Sequence, residues 1–211
     1  RALSSVLVEG KEEGNGINVT TKNITYCTSG MYENALATAG IKDADIIVAG
    51  PFNISGTAAL VGAIKSYENM TGEAVKTENV ETATNELVVT GKVAESVGDT
   101  DKAEQLIGAV KEQVVEGHAV TAEEIGEVVD KAAQEMSIQL SEEDRQAIVK
   151  LMEKIDNLNL DVDTLKEQAK DLYGKIEDLG LKLDINKEQV QGFFEKIISF
   201  IKELFSGNSE N

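Results

Sequence analysis

Several residue types are scarce in this chain of 211 residues. A single cysteine, Cys27, excludes an internal disulfide, and we expect it to be a small buried side chain of a strand. One proline, no tryptophan and an aromatic content of 4% favour long uninterrupted helices and cores built from small aliphatic residues. These scarcities predict a helix-rich protein that has no internal disulfide.

Basic residues are also few. The chain has 20 Lys and Arg against 38 Asp and Glu, which gives a net charge of −18. Nucleic acids are bound by clustered Lys and Arg, so this balance excludes nucleic acid as an expected partner. Acidic membrane surfaces are disfavoured for the same reason. The sequence has no run of about 18 apolar residues, and therefore it predicts no transmembrane helix.

Residues that carry chemistry do not form a recognisable site. His118 is the only histidine, and it follows a predicted helix without partners at the spacing of a metal site or a catalytic triad. Asp156, Asp161 and Asp163 resemble part of a calcium loop, but the glycine and the glutamate that such a loop needs are missing. The sequence therefore predicts no metal, no cofactor and no catalytic residue, and it favours a non-enzymatic protein.

The beginning of the chain is rich in β-branched residues. Residues 3–8 and 17–27 contain many Val, Ile and Thr around a polar turn with glycines, which is typical of a hairpin. The sequence therefore predicts that two paired antiparallel strands open the fold.

A crossover follows the second predicted strand. Thr28 or Ser29 caps a helix that Gly40 ends, and residues 44–49 form a short strand of the buried type, apolar except for Asp45. A strand, helix, strand unit pairs its two strands in parallel. With one further helix, residues 1–72 are predicted to form a small mixed-sheet domain in the order β-β-α-β-α.

The segment VAGPFNISGTAAL, residues 48–60, matches a phosphate-binding loop only in part. Gly50 and Thr57 fit the pattern, whereas Ser55 replaces its second glycine and Gly56 replaces its lysine. We favour a structural interpretation, in which Ser55 or Thr57 caps a helix that begins at Thr57. A small-ligand or anion site formed by these four residues is the alternative, because free amides at a helix N-terminus bind anions.

The second region, residues 73–211, has a helical pattern throughout. Apolar residues recur at helical spacing, and Thr121 with Glu124 and Ser141 with Asp144 form capping boxes at two predicted helix starts. Each apolar stripe needs a neighbouring element to cover it. We therefore predict an α+β fold in which an acidic, all-helical bundle follows the small mixed sheet.

The last predicted helix, residues 186–206, contains four of the five phenylalanines. Its large apolar residues occupy one arc of about 160°, and the opposite arc is polar. Three surfaces are candidates to bury this apolar arc: the helical bundle itself, which we favour, a partner protein or second copy, and a membrane interface. The membrane ranks last because Lys and Glu balance on the polar arc. The candidate partner contacts are Phe193, Phe194, Ile197, Ile201 and Phe205.

One long segment carries a family resemblance. The motifs MYENALATAGIKDADI and PFNISGTAAL lie within residues 18–68, and this run resembles the central segment of the YpuA-like secreted proteins of Gram-positive bacteria, a family of unknown function. The resemblance implies a signal peptide upstream of the given sequence and a secreted or cell-envelope location. It implies no catalytic residue and no ligand.

Together these features predict a secreted or cell-envelope protein that acts by binding. The leading function is a non-enzymatic module that binds another protein or itself. One form of self-association uses an open edge of the sheet, to which a neighbouring copy adds its strands. The alternatives are a small-ligand or anion binder at the Gly50–Thr57 turn and peripheral membrane attachment through residues 186–206.

Overall fold

The computed structural model describes residues 3–117, 121–158, 160–162 and 165. Within these residues lie three strands and six helices. In chain order they are β1 (Ser5–Gly10), β2 (Ile17–Ile24), α1 (Ser29–Thr38), β3 (Ala44–Ile54), α2 (Ala59–Thr71), α3 (Thr77–Val97), α4 (Thr100–Gly117), α5 (Ala122–Glu135) and α6 (Glu142–Asp156). The fold is α+β, as predicted, with a small mixed sheet followed by packed helices.

The sheet has the strand order β1-β3-β2. β1 is antiparallel to β3, with Leu7 opposite Ile47, and β2 is parallel to β3, with Val19 opposite Ile46. The predicted hairpin is therefore wrong, because β1 and β2 run in opposite directions but pair with β3 and not with each other. β3, which reads as the most continuously apolar strand, takes the central position, where a strand on each side shields it from water.

The glycine-bearing turn between β1 and β2 crosses the beginning of β3. Lys11 N donates to Asp43 O at 2.7 Å, and Asp43 Oδ1 accepts from the amides of Gly14 and Gly16, both at 3.0 Å. The two glycines have φ angles of +88° and +69°, which glycine adopts without strain. The residues that signalled a hairpin therefore bind the residue just before β3, and this leaves room for β3 between β1 and β2.

β2, α1 and β3 form the predicted parallel crossover. The Thr28 hydroxyl caps α1 by accepting from Met31 N at 3.2 Å, and Gly40 follows the helix with a φ of +85°. α1 packs against β2, and α2 packs against β1. The buried positions of β2 and β3 and the partly buried Val6 and Val8 of β1 are register partners, so both helices cover the same face of the sheet.

β3 is longer than predicted, and the residues after it do not cap α2. The N-cap of α2 is Ala58, and no side chain forms a hydrogen bond at this cap. Instead, Ala59 N donates to the carbonyl of Gly56 at 2.8 Å. The prediction that Ser55 or Thr57 caps the helix is therefore wrong, because a backbone turn leads into it.

The helices α3 to α6 pack against one another, and α1 packs against both α3 and α4. Two predicted helix starts are confirmed: Thr121 and Glu124 form a reciprocal capping box, and the Ser141 hydroxyl accepts from Asp144 N at 3.1 Å. One contiguous core of buried side chains joins the sheet to these helices. The division of the chain at residue 72 into two domains stays a prediction.

Candidate interaction surface

Two apolar side chains are exposed on the side of the sheet opposite α1 and α2. Leu7 of β1 and Ile47 of β3 are register partners, and they are 61% and 46% exposed. Residues directly opposite each other in an antiparallel pair project from the same face. Val6 and Val8 project from the other face, where they pack against the core. The outer face of the sheet therefore carries an apolar pair in contact with water.

Two more exposed apolar side chains lie on α2, which packs over β1. A Cβ added at Gly62 would meet Val6 Cγ2 at 3.4 Å, and one added at Gly10 would meet Met70 Cε at 3.0 Å. Met70 is about half exposed, and so is Val61, the neighbour of Gly62. These short distances place α2 against β1, so Met70 and the helix that carries Val61 lie beside the same strand.

Exposed apolar residues are concentrated around β1. Seven large apolar side chains are exposed among the described residues, and five of them lie on β1, just before it, beside it on β3, or on α2. We call these five residues the β1 surface: Leu3, Leu7, Ile47, Val61 and Met70. These residues border β1 on both faces of the sheet, and a concentration of exposed apolar side chains around one strand is typical of an interaction site.

The two edges of the sheet differ. On β2, Val19 N donates to Glu33 Oε1 of α1 at 2.9 Å, so a helix side chain occupies a backbone group of this edge. On β1, the backbone groups that point away from β3 have no hydrogen-bond partner among the described residues. An unpaired strand edge is a template for another strand. β1 therefore forms an edge that is open for pairing, whereas the edge of β2 is partly occupied by the side chain of Glu33.

β3 bulges after Gly50. Its pairing with β2 is regular up to Ala49 and resumes at Ile54, so extra residues lie between the two paired stretches. Phe52, which lies in the bulge, is 59% exposed. A Cβ at Gly50 would lie 2.6 Å from Phe52 O, so only glycine fits at this position. The glycine therefore permits the bend that presents an aromatic ring to water.

The four residues of the predicted anion site at the Gly50–Thr57 turn do not share one environment. Gly50 lies in the bulge of β3, and Ser55 and Thr57 are exposed beyond the strand. Gly56 is buried, its carbonyl accepts from the Tyr32 hydroxyl at 2.6 Å, and an added Cβ would meet that hydroxyl at 2.5 Å. The second glycine of the turn therefore serves close packing against α1, and the anion site stays a prediction.

A buried polar layer lies between α1, α3 and α4. Lys111 Nζ of α4 forms an ion pair with Glu86 Oε1 of α3 at 2.8 Å, and both side chains are almost fully buried. The ammonium also donates to Asn34 O at 2.7 Å and to Thr38 Oγ1 at 3.2 Å, both on α1. Thr38 donates in turn to Glu86. The three donors of the lysine are therefore all used within the fold.

A second buried carboxyl, Glu104 of α4, has no cationic partner among the described residues. Its Oε1 accepts from the hydroxyl of Thr28, and its main-chain carbonyl accepts from Asn34 Nδ2 at 3.2 Å. Burial raises the pKa of Glu104 to about 8, the Thr28 hydrogen bond opposes this, and the charges of Asp101 and Glu33 add to it. The folded chain therefore holds this carboxyl largely protonated at neutral pH.

The single thiol lies in the core. Cys27 is buried as predicted, although it follows β2 and does not lie within it. Burial raises its pKa to about 11, and a hydrogen bond with Tyr32 opposes this shift. A nucleophilic cysteine needs a thiolate near neutral pH. Cys27 therefore lacks the ionisation that covalent catalysis requires.

Asp161, one of the three aspartates of the partial calcium loop, forms an ion pair with Lys42 at 3.1 Å. In the described part of the chain, no group of three or more His, Cys, Asp or Glu residues could hold a metal ion. Asp163 and His118 lie outside the described residues.

The candidate contacts on the last predicted helix, residues 186–206, also lie outside the described residues. Among the helices that the structure does describe, none has the length and apolar character needed to cross a membrane. The β1 surface therefore holds most of the large apolar side chains that are exposed among the described residues.

Sequence reasoning missed both the β1 surface and the buried ion pair. Leu7 and Ile47 stand in apolar runs, and such runs do not show which face of a sheet the helices cover. The sequence did contain a sign of the ion pair. Lys111 stands four residues after Ile107 and three before Val114, so it lies on an apolar helix face. A charged residue within such a stripe predicts a buried partner of opposite charge.

Comparison with known proteins agrees with the resemblance read from the sequence. The chain matches the family described as "Protein of unknown function (DUF1002)" over residues 1–172. It is 38% identical over 175 residues to "Uncharacterized protein YpuA" of Bacillus subtilis (strain 168), a match that covers 81% of this chain and 60% of that protein. The chain thus spans about 60% of the length of this relative, and no solved structure matches it. The chain belongs to the YpuA-like family of proteins of unknown function, DUF1002.

Proposed function

We propose that the chain is a non-enzymatic protein-binding module of a secreted or cell-envelope protein. The observation that carries the proposal is the β1 surface, which holds five of the seven exposed large apolar side chains of the described residues. Burying one such side chain completely stabilises a protein or complex by about 1.5 to 3 kcal/mol. A partner that covers this surface gains part of that energy from each side chain.

The ionisable groups of the interior support binding over catalysis. Lys111 and Glu86 neutralise each other between three helices, and burial keeps the Cys27 thiol protonated. Glu104 faces Thr28 inside the fold. These groups are the ones that a catalytic interpretation would use first, and the side chains of all of them are buried and paired within the fold.

The proposed location rests on the resemblance to secreted proteins of Gram-positive bacteria. The apolar arc of residues 186–206 is a second proposed contact, with the same candidate residues, and it lies outside the described residues. Both proposed contacts are apolar, so the expected partner is a protein surface with exposed apolar side chains, either of another protein or of another copy.

Photo-crosslinking in intact cells tests the proposal. A photoreactive amino acid replaces Leu7 in the full-length precursor, and the crosslinked products are identified in the medium and in the cell-envelope fraction. We expect links to another polypeptide in these fractions. The matched control places the same residue at Val88, which is 42% exposed on α3 and lies outside the β1 surface. Equal yields at both positions, or product confined to the cytoplasm, would contradict the proposal.

A further inference from the structure

The backbone groups of β1 alternate between the two sides of the strand. Lys11 N donates to Asp43 O, next to β3. Residues two apart in a strand direct their backbone groups to the same side, so Leu7 and Glu9 bond to β3, as Lys11 does. Val6 and Val8 therefore direct their N–H and C=O groups to the open edge, where they have no partner among the described residues.

The sequence of β1, SVLVEG, is complementary to itself about Leu7. In an antiparallel pair centred on this residue, Leu7 lies opposite Leu7, Val6 opposite Val8, and Ser5 opposite Glu9. The valine pairs are then the hydrogen-bonded pairs, and the leucine pair is of the closer, non-hydrogen-bonded kind. No charge lies opposite a like charge, and apolar residues oppose apolar residues on both faces.

We infer that a second copy of this chain occupies the β1 edge, so that two three-stranded sheets join about a twofold axis at Leu7. The inference rests on the proposed function and names the partner as another copy. The join brings the exposed Leu7 and Ile47 of both copies together on the outer face of one continuous sheet. On the other face it brings the two α2 helices, with Val61 and Met70, beside the joined strands.

The charge of the chain sets the salt dependence of this contact. Each copy carries a net charge of −18, so two copies repel each other at low ionic strength. Glu9 of β1 forms an ion pair with Lys11 at 3.0 Å. In the proposed dimer, Glu9 lies opposite Ser5 of the other copy. The repulsion is therefore long-range and screened by salt, and the dimer strengthens as salt is added.

Sedimentation equilibrium of the full chain over a concentration series tests the inference. We expect a monomer and dimer in equilibrium. Leu7→Lys places two ammonium groups opposite each other at the axis and raises the dimer Kd by about tenfold or more. Leu7 is largely exposed, so circular dichroism of the variant stays that of the folded chain. Val88→Lys, the matched control, leaves the Kd unchanged.

Cysteine substitution tests the register. In a non-hydrogen-bonded pair the Cα atoms lie about 4.5 Å apart, within the range of a disulfide. Leu7→Cys therefore forms a covalent dimer on mild oxidation. Ser5→Cys alone does not, because Glu9 lies opposite it, whereas a mixture of Ser5→Cys and Glu9→Cys chains forms the mixed disulfide. The buried Cys27 does not compete.

Two results would overturn the inference: a full chain that sediments as a monomer at every concentration, or a dimer that Leu7→Cys does not link. If the chain is monomeric but the probe at Leu7 links to a different protein in cells, the proposed function stands and only the choice of partner is wrong. A probe that links only to residues 166–211 of its own chain would overturn both.

Discussion

Glu86 and Glu104 are both buried between helices, but their surroundings differ. Glu86 faces the ammonium of Lys111, whereas Glu104 accepts a hydrogen bond from the neutral hydroxyl of Thr28. A buried carboxylate needs a cation or a proton, because the low dielectric of the interior disfavours an isolated charge. The first carboxyl has the cation, whereas burial raises the pKa of the second and so favours its protonated form.

Removing one partner of the buried ion pair is expected to be strongly destabilising. Lys111→Met leaves the Glu86 carboxylate without its cation, and we expect the free energy of unfolding to fall by about 3 to 5 kcal/mol in urea denaturation. Lys65→Met is the control, since the Lys65–Glu68 pair is partly exposed, and its loss costs about 1 kcal/mol or less. The double variant Glu86→Leu/Lys111→Met should lose less than the single one. A single variant as stable as the wild type would contradict the pairing.

Glu104 makes stability depend on pH in a defined direction. Its folded-state pKa of about 8 is above its ordinary value of 4.5, so folding takes up a proton between these values. Its contribution to stability is therefore complete at acid pH and is lost as the pH rises towards about 8. In urea denaturation at a series of pH values, Glu104→Gln should reduce the fall in the free energy of unfolding between about pH 4.5 and pH 8. Glu123→Gln, at an exposed carboxyl, should keep it. Equal pH profiles for wild type and Glu104→Gln would exclude this role.

At the scale of single elements, local signals were reliable where the side chain acts on its own helix. The caps at Thr28, Thr121 and Ser141 follow from short motifs, and the structure shows each hydroxyl accepting from the amide three residues on. The start of α2 did not follow its motif, because the residues before it belong to a longer strand and to a turn that packs on Tyr32. Caps are local, whereas the end of a strand depends on its neighbour.

The two helix starts give a matched pair of substitutions. Thr121→Ala removes a hydroxyl that caps α5, and we expect the free energy of unfolding to fall by about 1 kcal/mol. Thr57→Ala changes an exposed residue before α2, which has no side-chain cap, so its effect should stay within about 0.5 kcal/mol. Thermal and urea unfolding of both variants measures the difference. A larger loss for Thr57→Ala would mean that its hydroxyl caps α2 after all.

At the scale of the whole molecule, the core does not stop at residue 72. α1 packs against α3 and α4, and its polar residues complete the shell around Lys111. The helices of the second region therefore cover apolar surface that belongs to the first. A small unit that lost this cover would expose much of its own core to water.

We therefore expect residues 1–72 and the helices that follow to unfold together. Differential scanning calorimetry of the full chain should show one transition for the described part, with the calorimetric enthalpy equal to the van't Hoff enthalpy. A fragment of residues 1–72 should lack the near-UV dichroism of a packed core. Two separate transitions, or a folded fragment, would support the two-domain division that the sequence predicts.

The sequence by itself determined the α+β class, the parallel crossover, the caps of α5 and α6, and the family, and it narrowed the cap of α1 to Thr28 or Ser29. Each of these depends on residues that lie close together in the chain, or on direct similarity. It did not determine that β3 lies between β1 and β2, because the hydrogen bonds that Asp43 accepts from the amides of Gly14 and Gly16 join residues distant in the chain.

The tertiary structure alone decided which apolar residues stay in water and which charges are enclosed. Leu7 and Val8 read alike in the sequence, but α2 covers one face of β1 and leaves the other open. Lys111 and Glu86 meet only because three helices converge. Burial is a property of packed elements and not of single residues, so the surface on which the proposed function rests appears only in the folded chain.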